Sequence, residues 1–237
     1  MHRFYAPEKD FTKTGITLSE GETRHFRDVL RLKIGHEVNV FDGLGSEYRC
    51  RIEAIEKRQS TLTVVRETPP TSPESPFEIT LAVAILKGDK FDLVIQKAVE
   101  LGVVKVIPLQ TIRGDVKPKS TEHKMERLRR IALDATKQCG RARLMEIAEP
   151  VSFDTFIGDI GPIVLFSERG GEDFSAISRS KTITAVVGPE GGWDDSELEN
   201  AKSNGATVIT LGGRILRAET AAISIAAVLQ HKFGDLN

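Results

Sequence analysis

The chain has 237 residues, a formal net charge of −1 and 40% hydrophobic and 28% charged residues, which is an ordinary globular composition. It has no apolar run of the ~18 residues that a membrane-spanning helix needs, and its N-terminus lacks the apolar core of a signal peptide. Two cysteines and no Cys/His cluster argue against a disulfide framework and against a metal site. These features predict a cytoplasmic protein with no membrane partner, built as one large domain or as a small and a medium one.

The first part of the chain is predicted to consist mainly of β-strands. Ser19 and Glu22 form a capping-box pattern, so a single helix is expected to begin near Ser19 and to end at about Leu32. Alternating hydrophobicity then indicates three strands, the first of which ends in an Asp-Gly turn, at 36–43, 46–57 and 60–67.

Three arginines of the predicted helix recur at helical spacing. Arg24, Arg27 and Arg31 stand at i, i+3 and i+7 and are expected to share one outward face. The opposite face carries three residues that we expect to point into the sheet: Phe26, Val29 and Leu30. Outward arginines on a rigid element can hold phosphates, although a solvated basic face explains the same spacing.

A proline-rich segment divides the chain. Residues 66–78 contain four prolines, and proline fixes φ and removes a hydrogen-bond donor, so this segment is predicted to be an extended linker. It separates a domain at residues 1–70 from a domain at residues 75–237.

The second domain alternates strands and helices, a pattern that predicts an α/β fold with a largely parallel sheet. Strands are predicted at 78–86, 103–109, 162–166, 182–188 and 206–212. Helices are predicted at 89–102, 122–140, 194–205 and 218–230. The last helix is apolar on almost every side, so we expect it to be buried.

Basic residues are concentrated in one stretch. Residues 113–143 carry ten Lys/Arg against four Asp/Glu, whereas residues 144–237 carry seven against fourteen. Such a distribution can place a basic surface, which nucleic-acid binding requires, on a neutral protein. A solvated helix face accounts for the same bias.

Three predicted strands of the second domain end in polar or glycine-rich loops, at 167–173, 188–195 and 212–220. Ligands of open α/β sheets bind beyond the carboxyl ends of strands, and glycine lets the main chain approach a ligand closely. The loops therefore predict a pocket that binds through main-chain groups; tight strand-to-helix turns are the alternative. No G-x-G-x-x-G follows the first strand of this domain and the chain has no G-x-x-x-x-G-K-[ST], so the usual nucleotide-phosphate cradles are absent.

Three sequence motifs of the second domain resemble those of a known family. GPEGG at 188–192, LGGRILRAETA at 211–221 and QKAVELGV at 96–103 are similar to the family that methylates N3 of a uridine in bacterial small-subunit (16S) ribosomal RNA, within the SPOUT superfamily of S-adenosylmethionine-dependent methyltransferases. HFRDVLRLKIG at 25–35 and FDG at 41–43 also match, so the resemblance runs from Arg3 to the last residues. Two residues depart from the family pattern, Lys137 where an acidic residue is expected and Met145 where a proline is expected.

The resemblance implies an architecture that general rules would not give, because true knots are rare. It implies an α/β domain whose C-terminal segment is threaded into a deep trefoil knot, preceded by a small PUA-like, RNA-binding β-barrel at residues 1–70, in an obligate homodimer. The small residues of the last helix suit a dimer interface or a buried core.

The resemblance also implies site residues. By motif match, the cofactor S-adenosylmethionine is expected to contact Gly188, Glu190, Gly191, Gly192, Leu211, Gly212, Ile215, Leu216 and Ala221. Arg217 is expected to orient the target base or its phosphate, and Glu219 and Thr220 to hold the loop or assist proton removal; for Glu219, complementing the helix dipole is the alternative. Glu168 is a further catalytic candidate on the pocket wall. The group that accepts the uridine proton is not identified by the sequence.

The RNA partner, ribosomal RNA or the small ribosomal subunit, is expected to contact basic residues of both domains: Arg3, Arg24, Arg27, Arg31, Arg113, Lys117, Arg141 and Arg143. Two alternatives remain open at this point, a SPOUT methyltransferase acting on another RNA position and a non-catalytic RNA-binding protein.

Overall fold

A computed structural model describes residues 1–13, 15–114, 121–158 and 162–236. The chain forms two units, one of Met1–Glu74 with Thr136–Leu144 and the other of Ser75–Ala135 with Met145–Asn237. The predicted division assigned every residue after 75 to the second domain. The structure corrects this for residues 136–144, which belong to the first unit because they pack with it.

The first unit is built on a five-stranded sheet in the order β1-β3-β4-β5-β2, in which β1 runs parallel to β3 and the other pairs are antiparallel. Its strands are β1 (Arg3–Tyr5), β2 (Gly15–Leu18), β3 (Glu37–Phe41), β4 (Glu47–Ile55) and β5 (Ser60–Thr68). Alternating strand residues and Phe26 fill its core, as the period-two pattern predicts. The two short strands β1 and β2 were not among the predicted ones.

The predicted helix from Ser19 to Leu32 is shorter and less regular than expected. The Ser19 side chain accepts a hydrogen bond from Glu22 N and begins α1 (Glu20–Arg24), which continues into a π-helical turn at His25–Val29. A π turn rotates the residues that follow it away from their α-helical positions. Val29 is therefore 65% exposed instead of buried.

The rest of this segment departs from the prediction too. Arg31 lies beyond the helix with φ 52, so it does not share a helical face with Arg24 and Arg27. The Glu22 side chain pairs with Lys137. Lys137 is one of the two residues that depart from the family pattern, and this ion pair gives it a structural role in the first unit.

The second unit has a parallel sheet in the order β12-β10-β11-β6-β7-β8, with β9 also pairing with β7. The strands are β6 (Glu78–Ala84), β7 (Lys105–Gln110), β8 (Glu146–Ile147), β9 (Val151–Ser152), β10 (Ile163–Phe166), β11 (Thr182–Val187) and β12 (Thr207–Ile209). The helices are α2 (Lys90–Glu100), α3 (Thr121–Cys139), α4 (Phe153–Ile157), α5 (Asp195–Ser203) and α6 (Ala218–Phe233). The end of α3, from Thr136 on, belongs to the first unit. The predicted parallel α/β sheet is confirmed. None of the helices in the described part of the chain is long and apolar enough to cross a membrane.

The connections of β10, β11 and β12 determine where a ligand can bind. β10 lies between β11 and β12, so the carboxyl ends of the three strands are adjacent. After β12 the chain returns to form α6, which packs on β6, β11 and α2. The three loops that follow these strands therefore meet at one edge of the sheet.

Candidate active site

A cavity of about 520 Å³ lies at this edge, within the size range of small-molecule sites. All three predicted loops contribute to it, together with Lys90 at the start of α2 and Ala221 and Ile225 on α6. Eight of the nine residues predicted to contact the cofactor line the cavity; Gly212 does not. Of the four predicted catalytic residues, Glu168 and Arg217 line it, whereas Glu219 and Thr220 do not.

Trp193 forms the floor of the cavity beneath Gly188. Its side chain is 1% exposed, its Nε1 donates a hydrogen bond to the carbonyl oxygen of Phe166 at 2.9 Å, and its ring packs on Phe153. A Cβ atom at Gly188 would lie 2.9 Å from the indole ring. Glycine is therefore required at this position, because any side chain would collide with a ring that is held in place.

The next two glycines bring the main chain against other walls of the site. A Cβ at Gly191 would lie 3.2 Å from Arg113 Cβ and 3.3 Å from its carbonyl oxygen, so the loop is packed tightly on Arg113. Gly192 has a φ of +70, which glycine adopts without strain. A Cβ there would lie 3.0 Å from Glu168 Oε1, which places that carboxylate beside the loop.

Arg113 and Asp194 fix the far side of this loop. Asp194 caps the N-terminus of α5 in a capping box with Glu197, and its Oδ2 pairs with Arg113 Nη2 at 3.1 Å. Hydrogen bonds from Ser196, followed by the hydrogen bond and charge of Arg113, lower the pKa of Asp194. Arg113, which was predicted to contact RNA, is thus engaged at the edge of the cofactor loop with a side chain 41% exposed.

Two carboxylates and three cations line the cavity. Glu190 Oε1 accepts hydrogen bonds from Lys90 Nζ at 3.0 Å and from Lys87 N at 3.4 Å. Burial raises the pKa of Glu190, but these hydrogen bonds and the charge of Lys90 outweigh it and hold the pKa below its usual value. In the part of the chain that the structure describes, Glu168 has one ion pair, a 3.4 Å contact with its neighbour Arg169. Besides Lys90, the cations that line the cavity are Arg214 and Arg217.

The two remaining catalytic candidates lie in the first turn of α6. Thr220 is exposed, and Glu219 is half-buried with an Oε2 atom that has no hydrogen-bond partner among the described residues. A helix N-terminus favours negative charge, which is the alternative that the sequence left open for Glu219. The structure does not bring either residue into the cavity.

Arg3 and Arg141 are held inside the first unit rather than presented to RNA. Arg3 pairs with the fully buried Glu47 at 2.8 Å and donates to the carbonyl oxygens of Thr136 and Arg141. Arg141 is 3% exposed and pairs with Glu74 at 2.6 Å. These ion pairs correct the prediction for both residues, because both guanidinium groups are already held by carboxylates of the same unit.

The other predicted RNA contacts lie nearer the surface of their own units. Arg24 has a 67% exposed side chain, Arg31 and Arg143 are exposed, and Arg27 is partly exposed and pairs with Asp28. Lys117 lies outside the described residues.

Comparison with known proteins decides which family this is. A family model described as an RNA methyltransferase domain matches residues 73–230, and one described as an RNA methyltransferase PUA domain matches residues 18–65. The chain is 34% identical to a ribosomal RNA small subunit methyltransferase E of Synechocystis sp., over 91% of this chain and 72% of that protein. It is 31% identical to the protein of the same name in Aquifex aeolicus, over 98% of this chain and 100% of that protein. The chain belongs to the ribosomal RNA small subunit methyltransferase E family.

Solved structures extend this family likeness to the fold. The ribosomal RNA small subunit methyltransferase E of Neisseria gonorrhoeae, bound to S-adenosyl methionine, has a TM-score of 0.92 and 31% identity over 100% of both chains. A putative methyltransferase of Legionella pneumophila, in complex with the same cofactor, has a TM-score of 0.91 and 32% identity over 99% of this chain and 98% of that chain.

The residues present in the cavity fit the cofactor seen in those relatives. Apolar side chains of Leu211, Leu216 and Ile225 offer contacts for an adenine ring, and the loop glycines leave room for close approach of a ribose. The carboxylates of Glu168 and Glu190 complement its positive charges. No group of three or more His, Cys, Asp or Glu side chains in the described ranges is arranged to hold a metal ion.

Nine of the residues that line the cavity were not among the predicted site residues, and these include Lys90, Trp193 and Arg214. Trp193 and Arg214 are within or next to the motifs that carry the family resemblance, so their motif position is a signal that could have included them. Lys90 has no such signal, because only the fold brings the start of α2 to Glu190, 100 residues away.

Proposed function

We propose that this protein is an S-adenosylmethionine-dependent methyltransferase that methylates N3 of a specific uridine in 16S rRNA of the small ribosomal subunit, in the cytoplasm. One observation carries the proposal. The GPEGG and LGGRILRAETA loops line a single cavity that fits the cofactor, in a chain whose relatives are named for methylation of small-subunit rRNA.

The protein's main contribution to this reaction is to position the two reactants, which lowers the barrier of a bimolecular transfer substantially. When bound, the cofactor supplies a methyl group already activated by its sulfonium. Main chain at Gly188 and Gly191 and the apolar side chains of Leu211 and Leu216 would hold it. Arg217 orients the target base or its phosphate from the mouth of the cavity.

Glu168 is the proposed acceptor of the proton on uridine N3. The cavity offers two carboxylates, and Glu190 is already engaged by Lys90 and Lys87 N. Among the described residues, Glu168 has only the 3.4 Å contact with Arg169, so its oxygens are able to accept a proton from a base at the cavity mouth. Glu219 and Thr220 support the turn that begins α6.

RNA is proposed to bind through the exposed arginines of the two units, by contacts with phosphates. This set comprises Arg24, Arg27, Arg31, Arg113 and Arg143, with Lys117 as a further member from the sequence prediction. Arg3 and Arg141 are left out, because both are buried in ion pairs.

The C-terminal segment is proposed to form the trefoil knot. β12 lies at the edge of the sheet beyond β10, yet α6 packs on β11 and β6. Residues 210–217 therefore cross back past the carboxyl ends of β10 and β11, where residues 188–193 also lie. A chain that crosses back in this way can be threaded through the preceding loop, which supports the knot.

A homodimer is proposed on the surface of α6. Ala222 and Ala226 are buried against the unit itself, but the opposite side of the helix presents Ile223, Ala227 and Val228, of which Val228 is 37% exposed. The neighbouring α2 adds Leu93, which is 41% exposed. An apolar strip across two packed helices is typical of a protein interface.

The test is incubation of the protein with S-adenosylmethionine carrying a labelled methyl group and small ribosomal subunits, followed by mapping of the labelled nucleoside. We expect one labelled N3-methyluridine in 16S rRNA. Label at another position would support a different RNA target. No transfer, together with no heat of binding when millimolar cofactor is added in calorimetry, would support a non-catalytic RNA-binding protein.

A further inference from the structure

Two arginines at the mouth of the cavity have no partner in the described part of the protein. Arg214 and Arg217 line the cavity and are exposed, and neither guanidinium group forms a hydrogen bond or ion pair with any described residue. The other cations near the site differ in this respect. Lys90 pairs with Glu190, Arg113 with Asp194 and Arg169 with Asp195. The two free guanidinium groups are therefore available to an anionic ligand from outside.

An isoleucine lies between them in the sequence. Ile215 is 86% exposed, which is the largest exposure of any large hydrophobic residue in the described ranges. Its neighbour Leu216 also lines the cavity but is only 37% exposed. Leu216 thus has the burial of a side chain that belongs to the cavity wall, whereas Ile215 projects an apolar group into solvent beside two free cations.

The backbone around Ile215 is anchored on its C-terminal side. Arg217 is the N-cap of α6, its carbonyl oxygen accepts a hydrogen bond from Ala221 N at 2.8 Å, and the next residue, Ala218, is 7% exposed. The segment is thus attached to a 16-residue helix that packs on the sheet. An exposed side chain on an anchored turn can push against a ligand without being displaced.

Methylation at N3 of uracil requires a group that opens the RNA stack. N3 lies on the Watson–Crick edge of uracil, which is turned inward in stacked or paired RNA. A concave cavity cannot reach that edge unless the nucleotide leaves the stack, which costs a few kcal/mol. Proteins that open a stack insert apolar side chains between bases and hold the backbone through arginines and lysines.

We propose that Ile215 occupies the space left in the RNA stack when the target nucleotide turns into the cavity, while Arg214 and Arg217 hold the phosphates on either side of it. The inference rests on the proposed function. It assigns Ile215 to the RNA instead of the cofactor, and it adds Arg214 to the residues that contact the substrate.

The test compares Ile215→Ala, Ile215→Leu and Arg214→Gln with the wild-type protein on small ribosomal subunits. Leu236→Ala is the matched control, because Leu236 is an apolar residue of the same unit, 46% exposed and outside the cavity lining. For Ile215→Ala we expect kcat/KM for methyl transfer to fall about tenfold, because most of the apolar side chain inserted between the bases is lost. Leu at 215 should restore most of it, and Leu236→Ala should change nothing.

Two further measurements separate this role from a structural one. Affinity for S-adenosylmethionine, measured by calorimetry without RNA, should be unchanged in all three site variants. Arg214→Gln should reduce the slope of log affinity for the subunit against log salt by about 1, because one phosphate contact is lost.

Each result bears on the proposal. A parallel loss of cofactor affinity in Ile215→Ala, or wild-type transfer by that variant, would overturn it, as would an unchanged salt slope for Arg214→Gln. Absence of methyl transfer by the wild-type protein would instead refute the proposed function itself.

Discussion

Gly188 cannot be exchanged for a residue with a side chain unless its loop moves. Trp193 beneath it is held by its hydrogen bond to Phe166 and by Phe153, so the ring cannot retreat from a Cβ atom 2.9 Å away. The loop itself must then move away from its position over the ring. The geometry of the cofactor site thus depends on residue 188 having no Cβ atom.

We predict that Gly188→Ala weakens S-adenosylmethionine binding about tenfold or more, because the displaced loop supplies main-chain contacts to the cofactor. Calorimetry measures the affinity, and the fluorescence of Trp193, the only tryptophan of the chain, gives an independent report from the cavity floor. Gly213→Ala is the control in the neighbouring motif, since nothing lies within 4 Å of a Cβ there. Equal affinities of the two variants would show that this floor is not part of the cofactor site.

The sequence predicted which glycines lie at the cofactor site, but not the contacts that require glycine there. The motif placed Gly188, Gly191 and Gly192 at the cofactor, and all three line the cavity. Their steric reasons involve Trp193, Arg113 and Glu168, and two of these come from distant parts of the chain. Such pairings depend on the fold and cannot be read from local pattern.

At the scale of an element, the strand β1 also makes contacts that local sequence pattern does not predict, and Arg3 is the example. An arginine near the N-terminus of a protein that binds RNA is easily assigned to phosphate contact. In the structure it joins β1 to Glu47 of β4 and to the carbonyl oxygens at the carboxyl end of α3. Sequence alone cannot distinguish the two roles, because Glu47 is 44 residues away.

We predict that Arg3→Met destabilises the protein by about 3–5 kcal/mol, because it leaves the fully buried Glu47 carboxylate without its cation. Urea-induced unfolding of the full chain measures the change. Arg51→Met, which removes a 57% exposed arginine paired with Glu37 on the same sheet, should cost less than about 1 kcal/mol. Unchanged stability of Arg3→Met, combined with weaker RNA binding, would restore the original assignment of Arg3 to RNA.

The segment after Ser19 marks where helical periodicity fails as a predictor. Three arginines at i, i+3 and i+7 share a face only if the helix stays α-helical, and the π turn at His25–Val29 breaks that condition before Arg31. Val29 becomes exposed for the same reason. For α6, the apolar composition predicted a buried helix. Ala222, Ala226 and Leu229 are buried, but Val228 is 37% exposed, so the prediction holds for one side of the helix only.

At the scale of the whole molecule, alternating strands and helices were enough to predict a parallel α/β sheet. They could not predict the strand order, in which β10 separates β11 from β12, because three short apolar strands of similar composition are interchangeable in pattern. The two-residue strands β8 and β9 are too short to produce any periodicity. The grouping of residues 136–144 with the first unit also depends on contacts between residues far apart in sequence, among them those of Arg3.

The open side of α6 carries the last prediction, on the assembly of the molecule. Ile223 and Ala227 stand one helical turn apart, Val228 follows them, and the neighbouring α2 adds the exposed Leu93; apolar surface of this kind is costly to leave in water. We predict that Val228→Asp converts a dimer into a monomer, because a carboxylate buried in an apolar interface would lack a partner. Sedimentation velocity measures the mass. Leu44→Asp, at a residue of the first unit that is 66% exposed, should leave the dimer intact. A dimer in both variants would place the interface elsewhere, and a monomeric wild-type protein would refute the dimer itself.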